Sequence, residues 1–193
     1  MNVDTTVTDA MSSPNDLVAA SGEVLVNMAP RLAPFNPTAP DAILLALSLA
    51  LLHDGDIVVD LGCGDGRVLL AAAEACEGVR CTGFEFDDTI AARATAKLLR
   101  ATEEGGARAA AAARVIVIHG DACGPEAVLA LDTATVVFVY LVPAGLARVK
   151  PSLERVLSRG GRIVSNMFSI PGWHASETKT ARGCNVHLYM NNR

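Results

Sequence analysis

The chain opens without a regular apolar pattern, acquires one near residue 41, and then alternates between two periods to its end. Residues 41–52 carry apolar positions at helical spacing. Residues 56–61 (DIVVDL) are a short β-branched run suited to a buried strand. Residues 66–76, rich in alanine and leucine, predict a helix. A second strand follows over 79–85, then a second helix over 89–102 with Arg93, Lys97 and Arg100 on its exposed side. The Gly/Ala/Arg stretch 105–113 reads as a helix end and loop. A third strand is expected over 114–119 and a fourth over 135–141 (TVVFVYL). The helix expected over 144–157 stops at Ser158-Arg159-Gly160-Gly161, a C-cap signal. A fifth strand over 162–168 and one or two closing strands, the last within 185–190, complete the pattern.

Strands and helices alternating at this length imply right-handed crossovers, and so a Rossmann-like α/β fold: a doubly wound, mostly parallel sheet with helices on both faces. Ligands of such sheets sit beyond the carboxyl ends of the strands, at the switch point beside the first strand. The loops after Asp60, Glu85, His119 and Tyr140 are therefore the ones to examine. Upstream, residues 1–16 are polar and aperiodic, a disordered tail by default, and 17–28 suit a short helix through Leu17, Val18, Leu25 and Met28. Prolines at 30, 34, 37 and 40 forbid a regular helix and predict an extended arm ending at Thr38. Residues 17–193 are read as a single domain.

Composition narrows the function. Hydrophobic residues make up 51% of the 193 and charged ones 19%, enough apolar material for a real core. The formal net charge of −5 gives no general affinity for nucleic-acid backbone. Five cysteines form no CxxC pair and no Cys/His grouping at zinc spacing, so free thiols and no metal are expected. The longest apolar stretch, within 42–52, falls short of the roughly 20 residues that span a bilayer. No basic-then-apolar leader opens the sequence, and the expected location is cytoplasmic.

The chemistry sits in the loops. Asp60-Leu61-Gly62-Cys63-Gly64-Asp65-Gly66-Arg67 places glycines where backbone must come close to a ligand. The dinucleotide fingerprint needs a third glycine where this chain has Arg67, which argues against a nicotinamide oxidoreductase. No Gly-Lys-Ser/Thr follows, so it is not a P-loop. Glu85, at the second strand's end, can accept both hydroxyls of a ribose. Asp121 of His119-Gly120-Asp121-Ala122 can accept from an adenine amino group, and the Ala122 amide can donate to a ring nitrogen. The alternative for Asp121 is an N-cap of a short helix near Pro125.

VVDLGCGDGR, GFEFD and IHGDAC, in that order and spacing, resemble the motifs of class I methyltransferases that use S-adenosylmethionine (SAM). The resemblance covers residues 35–190 and implies a seven-stranded sheet with SAM as cofactor. It places Asp60, Gly62 and Gly64 around the methionine end, Glu85 at the ribose and Asp121 with Ala122 at the adenine, with Cys63 and Phe86 also expected among the cofactor-binding residues. A narrower likeness lies in Phe35-Asn36-Pro37-Thr38, Tyr140-Leu141-Val142-Pro143, Gly161 to Ser165, and Pro171-Gly172-Trp173. These are similar to lysine methyltransferases of the ATP synthase c-subunit and related bacterial proteins, where the arm reads Val-Pro-Thr/Ser. The chain lacks those enzymes' membrane segment and mitochondrial presequence. It also lacks the Asp/Asn-Pro-Pro-Tyr/Phe of enzymes that methylate base amines or glutamine amides.

The expected activity is protein-lysine N-methylation by in-line displacement, with a protein substrate as partner. The alternatives are a small-molecule acceptor and a non-catalytic SAM-binding adaptor. Tyr140 and Asn166 are the candidate catalytic residues, and Thr38, Tyr140 and His174 the candidate substrate-side ones.

Overall fold

The computed structural model, which describes residues 32–191, turns that alternation into one seven-stranded sheet. The tail 1–16 and the helix expected over 17–28 lie outside the described residues. The strands are β1 (Ile57–Leu61), β2 (Arg80–Glu85), β3 (Val115–His119), β4 (Val136–Val139), β5 (Arg162–Asn166), β6 (Glu177–Ala181) and β7 (Cys184–Met190). Their order is β3-β2-β1-β4-β5-β7-β6. The first five run parallel, while β7 pairs antiparallel with both β5 and β6. From β1 the chain winds outward to β3 and then returns to β4 on β1's other side. The crevice between β1 and β4 is thus the switch point.

Among the described residues, six helices cover the two faces: α1 (Pro40–Ala50), α2 (Arg67–Ala75), α3 (Asp88–Glu104), α4 (Gly106–Ala112), α5 (Pro125–Leu131) and α6 (Pro143–Ser158). Because strand side chains alternate, each central strand supplies both cores. Val58, Val136, Val164 and Leu188 pack with Ala46, Leu69 and Ala111 of α1, α2 and α4. Val59, Val137, Ile163 and Tyr189 pack with Leu131, Leu146 and Leu153 of α5 and α6. Four of the five residues of β1 are buried, which explains why its apolar residues do not alternate with polar ones and why Asp60 is a buried exception.

Three expectations need correction. Residues 105–113 are not a helix end and loop. Positive φ values at Gly105 and Gly106 break α3, and the alanines then form the separate helix α4. The fourth strand ends at Val139, not at residue 141, and the fifth at Asn166, not at 168. In each case β-forming residues run on past the last ladder partner, so Tyr140 and Met167 leave the sheet and enter the crevice rim.

At the opposite end of the sheet a polar clamp joins three strands. The Asp56 carboxylate is fully buried and accepts from Thr135 Oγ1 (2.6 Å) and Arg162 Nη2 (2.5 Å). Burial acts to raise the Asp56 pKa, but these bonds, the His53 amide and the Arg162 charge together hold it below its ordinary value.

Candidate active site

The loop after β1 is pinned to β2 by backbone bonds and by one side chain. The amides of Gly62 and Cys63 both donate to the Phe84 carbonyl, at 2.9 and 3.0 Å. Gly64 has φ +56, and a Cβ there would lie 2.8 Å from the Phe35 ring, so the position admits only glycine. Its amide donates to Glu85 Oε2 (2.9 Å), while Glu85 Oε1 accepts from the Asp87 amide (2.9 Å). Each Glu85 oxygen keeps a lone pair, and the residue is half-buried at the strand end.

Asp60 is the unusual acid. It is 5% exposed, and none of the described residues donates a hydrogen bond to its side chain. Burial, reinforced by the nearby Glu85 charge, pushes its pKa up to about 8. Two carboxyl groups with no neutralising cation among the described residues suit a positively charged ligand.

Cys63 contributes backbone only. Its thiol packs against Gly83, and burial with the Asp60 and Glu85 charges drives its pKa upward. Beyond Glu85, Phe86 is exposed, and its carbonyl lies 3.1 Å from His119 Nε2. Asp121 Oδ1 accepts from the Cys123 amide (2.8 Å), leaving Oδ2 open to a ligand. Asp121 is not the cap of α5, because Gly124 holds that position. Ala122 is buried, so it can offer a ligand only its backbone.

Arg67, which stands where the dinucleotide pattern needs glycine, has a different task. Its Nε and Nη2 reach the two oxygens of Asp65, each at 2.8 Å, and its Nη1 donates to the Thr38 carbonyl (3.2 Å). Lys97 also grips Asp65. Burial opposes ionisation of Asp65, yet these bonds outweigh it and keep its pKa far below the carboxylate range. The arm of residues 32–39 is thereby tied to the glycine loop.

The other rim is formed by the strand ends that left the sheet. Tyr140 OH accepts from Asn36 Nδ2 (2.8 Å) and donates to Met167 Sδ (3.4 Å). Asn166 is 7% exposed and its Oδ1 accepts from the Cys184 thiol (3.2 Å). Tyr140 and Asn166 stand at the ends of neighbouring parallel strands, β4 and β5, and Thr38 is held by its carbonyl at Arg67. His174 is not brought to them. It is exposed, and its neighbour Trp173 is held on the α6 face by Tyr189 (ring centroids 5.6 Å apart) and Lys150. Asn36, Met167 and Cys184 were not singled out from sequence. Only the proline after Asn36, which fixes its backbone as extended, hinted at a placed side chain.

The donor set fits SAM. Asp60 and Glu85 would answer its positive charge, the free lone pairs of Glu85 would suit its ribose hydroxyls, and Asp121 with the Ala122 amide would suit its adenine. Sheet order and site together define a class I SAM-dependent methyltransferase. The profile of the ANTKMT methyltransferase domain matches residues 60–177, and the chain belongs to that family. It is 31% identical over 161 residues to a protein-lysine N-methyltransferase of Saccharolobus islandicus (strain REY15A), covering 81% of this chain and 92% of that one. Among solved structures, an RNA methyltransferase from Salinibacter ruber in complex with S-adenosyl-L-homocysteine superposes with TM-score 0.67 at 30% identity. That match covers 80% of this chain and 92% of the other. A SAM-dependent methyltransferase from Geobacter sulfurreducens, also with S-adenosyl-L-homocysteine, gives TM-score 0.52 at 30% identity over 68% of this chain and 49% of its own.

Proposed function

We propose that this chain is a protein-lysine N-methyltransferase. The observation that carries the reading is the likeness to the Saccharolobus islandicus enzyme along 92% of that protein's length. The β4 exit supports it, since Tyr140-Leu141-Val142-Pro143 offers a hydroxyl to an incoming amine and no carboxamide or acid to a base or glutamine.

In this reading Asp60, Gly62, Cys63 and Gly64 hold the methionine end of SAM, Glu85 and Phe86 the ribose, and Asp121 and Ala122 the adenine. SAM supplies a methyl group already activated on a sulfonium. The protein contributes proximity and alignment, worth about 7–11 kcal/mol at best. A lysine side chain, with an ordinary pKa of about 10.4, must first give its extra proton to solvent. Its freed lone pair then bonds the methyl carbon while the carbon–sulfur electron pair stays on sulfur. Tyr140 is the acceptor-side residue. Burial first, then the Cys184 charge, raises its pKa against the opposing Asn36 bond, so it acts as a neutral phenol and not as a base. Asn166 and Thr38 line the same rim.

The test is transfer of labelled methyl from SAM into a fractionated lysate, with Glu85→Ala as control. Acid-stable label on lysine in discrete protein bands is the expected result. Label confined to small molecules would replace this reading with a metabolite acceptor. Binding of SAM with no transfer to any fraction would favour an adaptor.

A further inference from the structure

Asn36 stands on a segment held at three points around it. Leu32 packs against Gly145 of α6, leaving no room for a side chain there, Phe35 lies on Gly64, and the Thr38 carbonyl is held by Arg67. Pro37 restricts Asn36 to extended backbone. The side chain is therefore delivered to one place, 2.8 Å from Tyr140 OH, although it is separated from it by 104 residues.

A phenolic oxygen has one hydrogen and two lone pairs to dispose of. Here one lone pair takes the Asn36 amide and the hydrogen points at Met167 Sδ. Met167 itself is held by its amide, which donates to the Asn185 carbonyl (2.7 Å), with its backbone at φ +66. A hydroxyl free to rotate could donate to an amine's lone pair and mask the nucleophile. With its hydrogen parked on sulfur, the oxygen can only accept.

Resting on the lysine reading above, we propose that Asn36 and Met167 are positioning residues: they lock the Tyr140 hydroxyl so that its oxygen accepts an N–H of the acceptor amine. The amine's lone pair is then left to face the methyl group. The role is specific for nitrogen acceptors that keep at least one hydrogen, which means unmethylated and monomethylated lysine.

The test pairs a binding readout with a rate. The protein has two tyrosines, so the phenol of Tyr140 can be followed by ultraviolet titration, with Tyr140→Phe identifying its signal. In Asn36→Ala that titration should move to higher pH. Methyl-lysine formation on lysate protein should fall about fivefold to tenfold, the effect of one hydrogen bond, with SAM affinity by calorimetry unchanged. Met167→Leu, which keeps the volume and removes the acceptor sulfur, should lower the rate in the same way. In a Tyr140→Phe background, Asn36→Ala should cost nothing further. An equal penalty with and without the Tyr140 hydroxyl would overturn the proposal, as would an unmoved titration. If the wild-type protein forms no methyl-lysine while binding SAM, it is the lysine reading that fails, and the amine-accepting role falls with it.

Discussion

At the scale of single residues, the decisive feature is a buried acid to which no described side chain or amide donates. Asp60 is buried beside Glu85 with its pKa pushed up to about 8, so near neutral pH it is largely protonated in the free protein. Sign follows from linkage: a carboxyl held above its unfolded value loses stabilisation as pH rises from about 4 towards 8, and a cationic ligand restores it by favouring the charged form. SAM binding at pH 7 should therefore release a proton, and affinity should rise with pH up to about 8. Calorimetry in buffers of different ionisation enthalpy measures this directly. Asp60→Asn should abolish the buffer dependence and weaken binding by about 1.5–3 kcal/mol, the worth of a charge-assisted contact. A buffer-independent enthalpy in the wild type would mean that Asp60 is already ionised. Sequence located Asp60, Glu85 and Asp121 at the ends of the first three strands because strand ends are legible from β-branched runs and glycines. It did not reveal Asn36 or Met167, since neither residue type carries chemistry by itself. Their meaning comes from a tyrosine 104 and 27 positions away.

At the scale of elements, the same reasoning explains what the pattern got right and where it overran. Periodicity finds a strand's interior, where each residue has a partner. It misplaces the end, because Tyr140, Leu141 and Phe168 favour extended structure whether or not a neighbouring strand continues. The separate helix α4 was hidden for the opposite reason: alanine-rich sequence looked like a fraying end until two positive-φ glycines divided it from α3. The polar clamp at the foot of β1, β4 and β5 was equally invisible, since Asp56, Thr135 and Arg162 each look like ordinary strand-edge residues. It is nonetheless a strong test of the register. The Asp56 side chain is fully buried and that of Arg162 is 14% exposed, so Asp56→Ala should destabilise by about 3–5 kcal/mol by leaving a buried cation unpaired. Because the Asp56 pKa is depressed, its contribution is complete above the ordinary carboxylate value and disappears as pH falls through the lower folded one. Urea unfolding of wild type and variant should converge below that value. A constant gap down to the most acid pH would refute the electrostatic account.

At the scale of the whole molecule, fold and acceptor come apart. The Salinibacter ruber structure, named as an RNA methyltransferase, and the Saccharolobus islandicus protein-lysine enzyme are alike in being about 30% identical to this chain over about four fifths of it. One frame accommodates many acceptors, so likeness at this level does not by itself select one. Charge separates them. An RNA substrate must be held largely through its phosphates, which requires clustered cations and makes binding fall steeply with salt. This chain has 21 acidic residues against 16 lysines and arginines. Arg67 and Lys97, the described cations nearest the glycine loop, are already spent on Asp65. The prediction is that total RNA added to a labelling reaction neither accepts methyl groups nor slows transfer to protein at 150 mM salt, and that lowering the salt changes protein labelling only modestly. Competition by RNA that vanishes between low and moderate salt would reveal a phosphate-binding surface and move the acceptor reading to nucleic acid. Indifference to RNA at every salt concentration would exclude an acceptor held by its phosphates and keep the proposed role of the neutral Tyr140 hydroxyl at an amine.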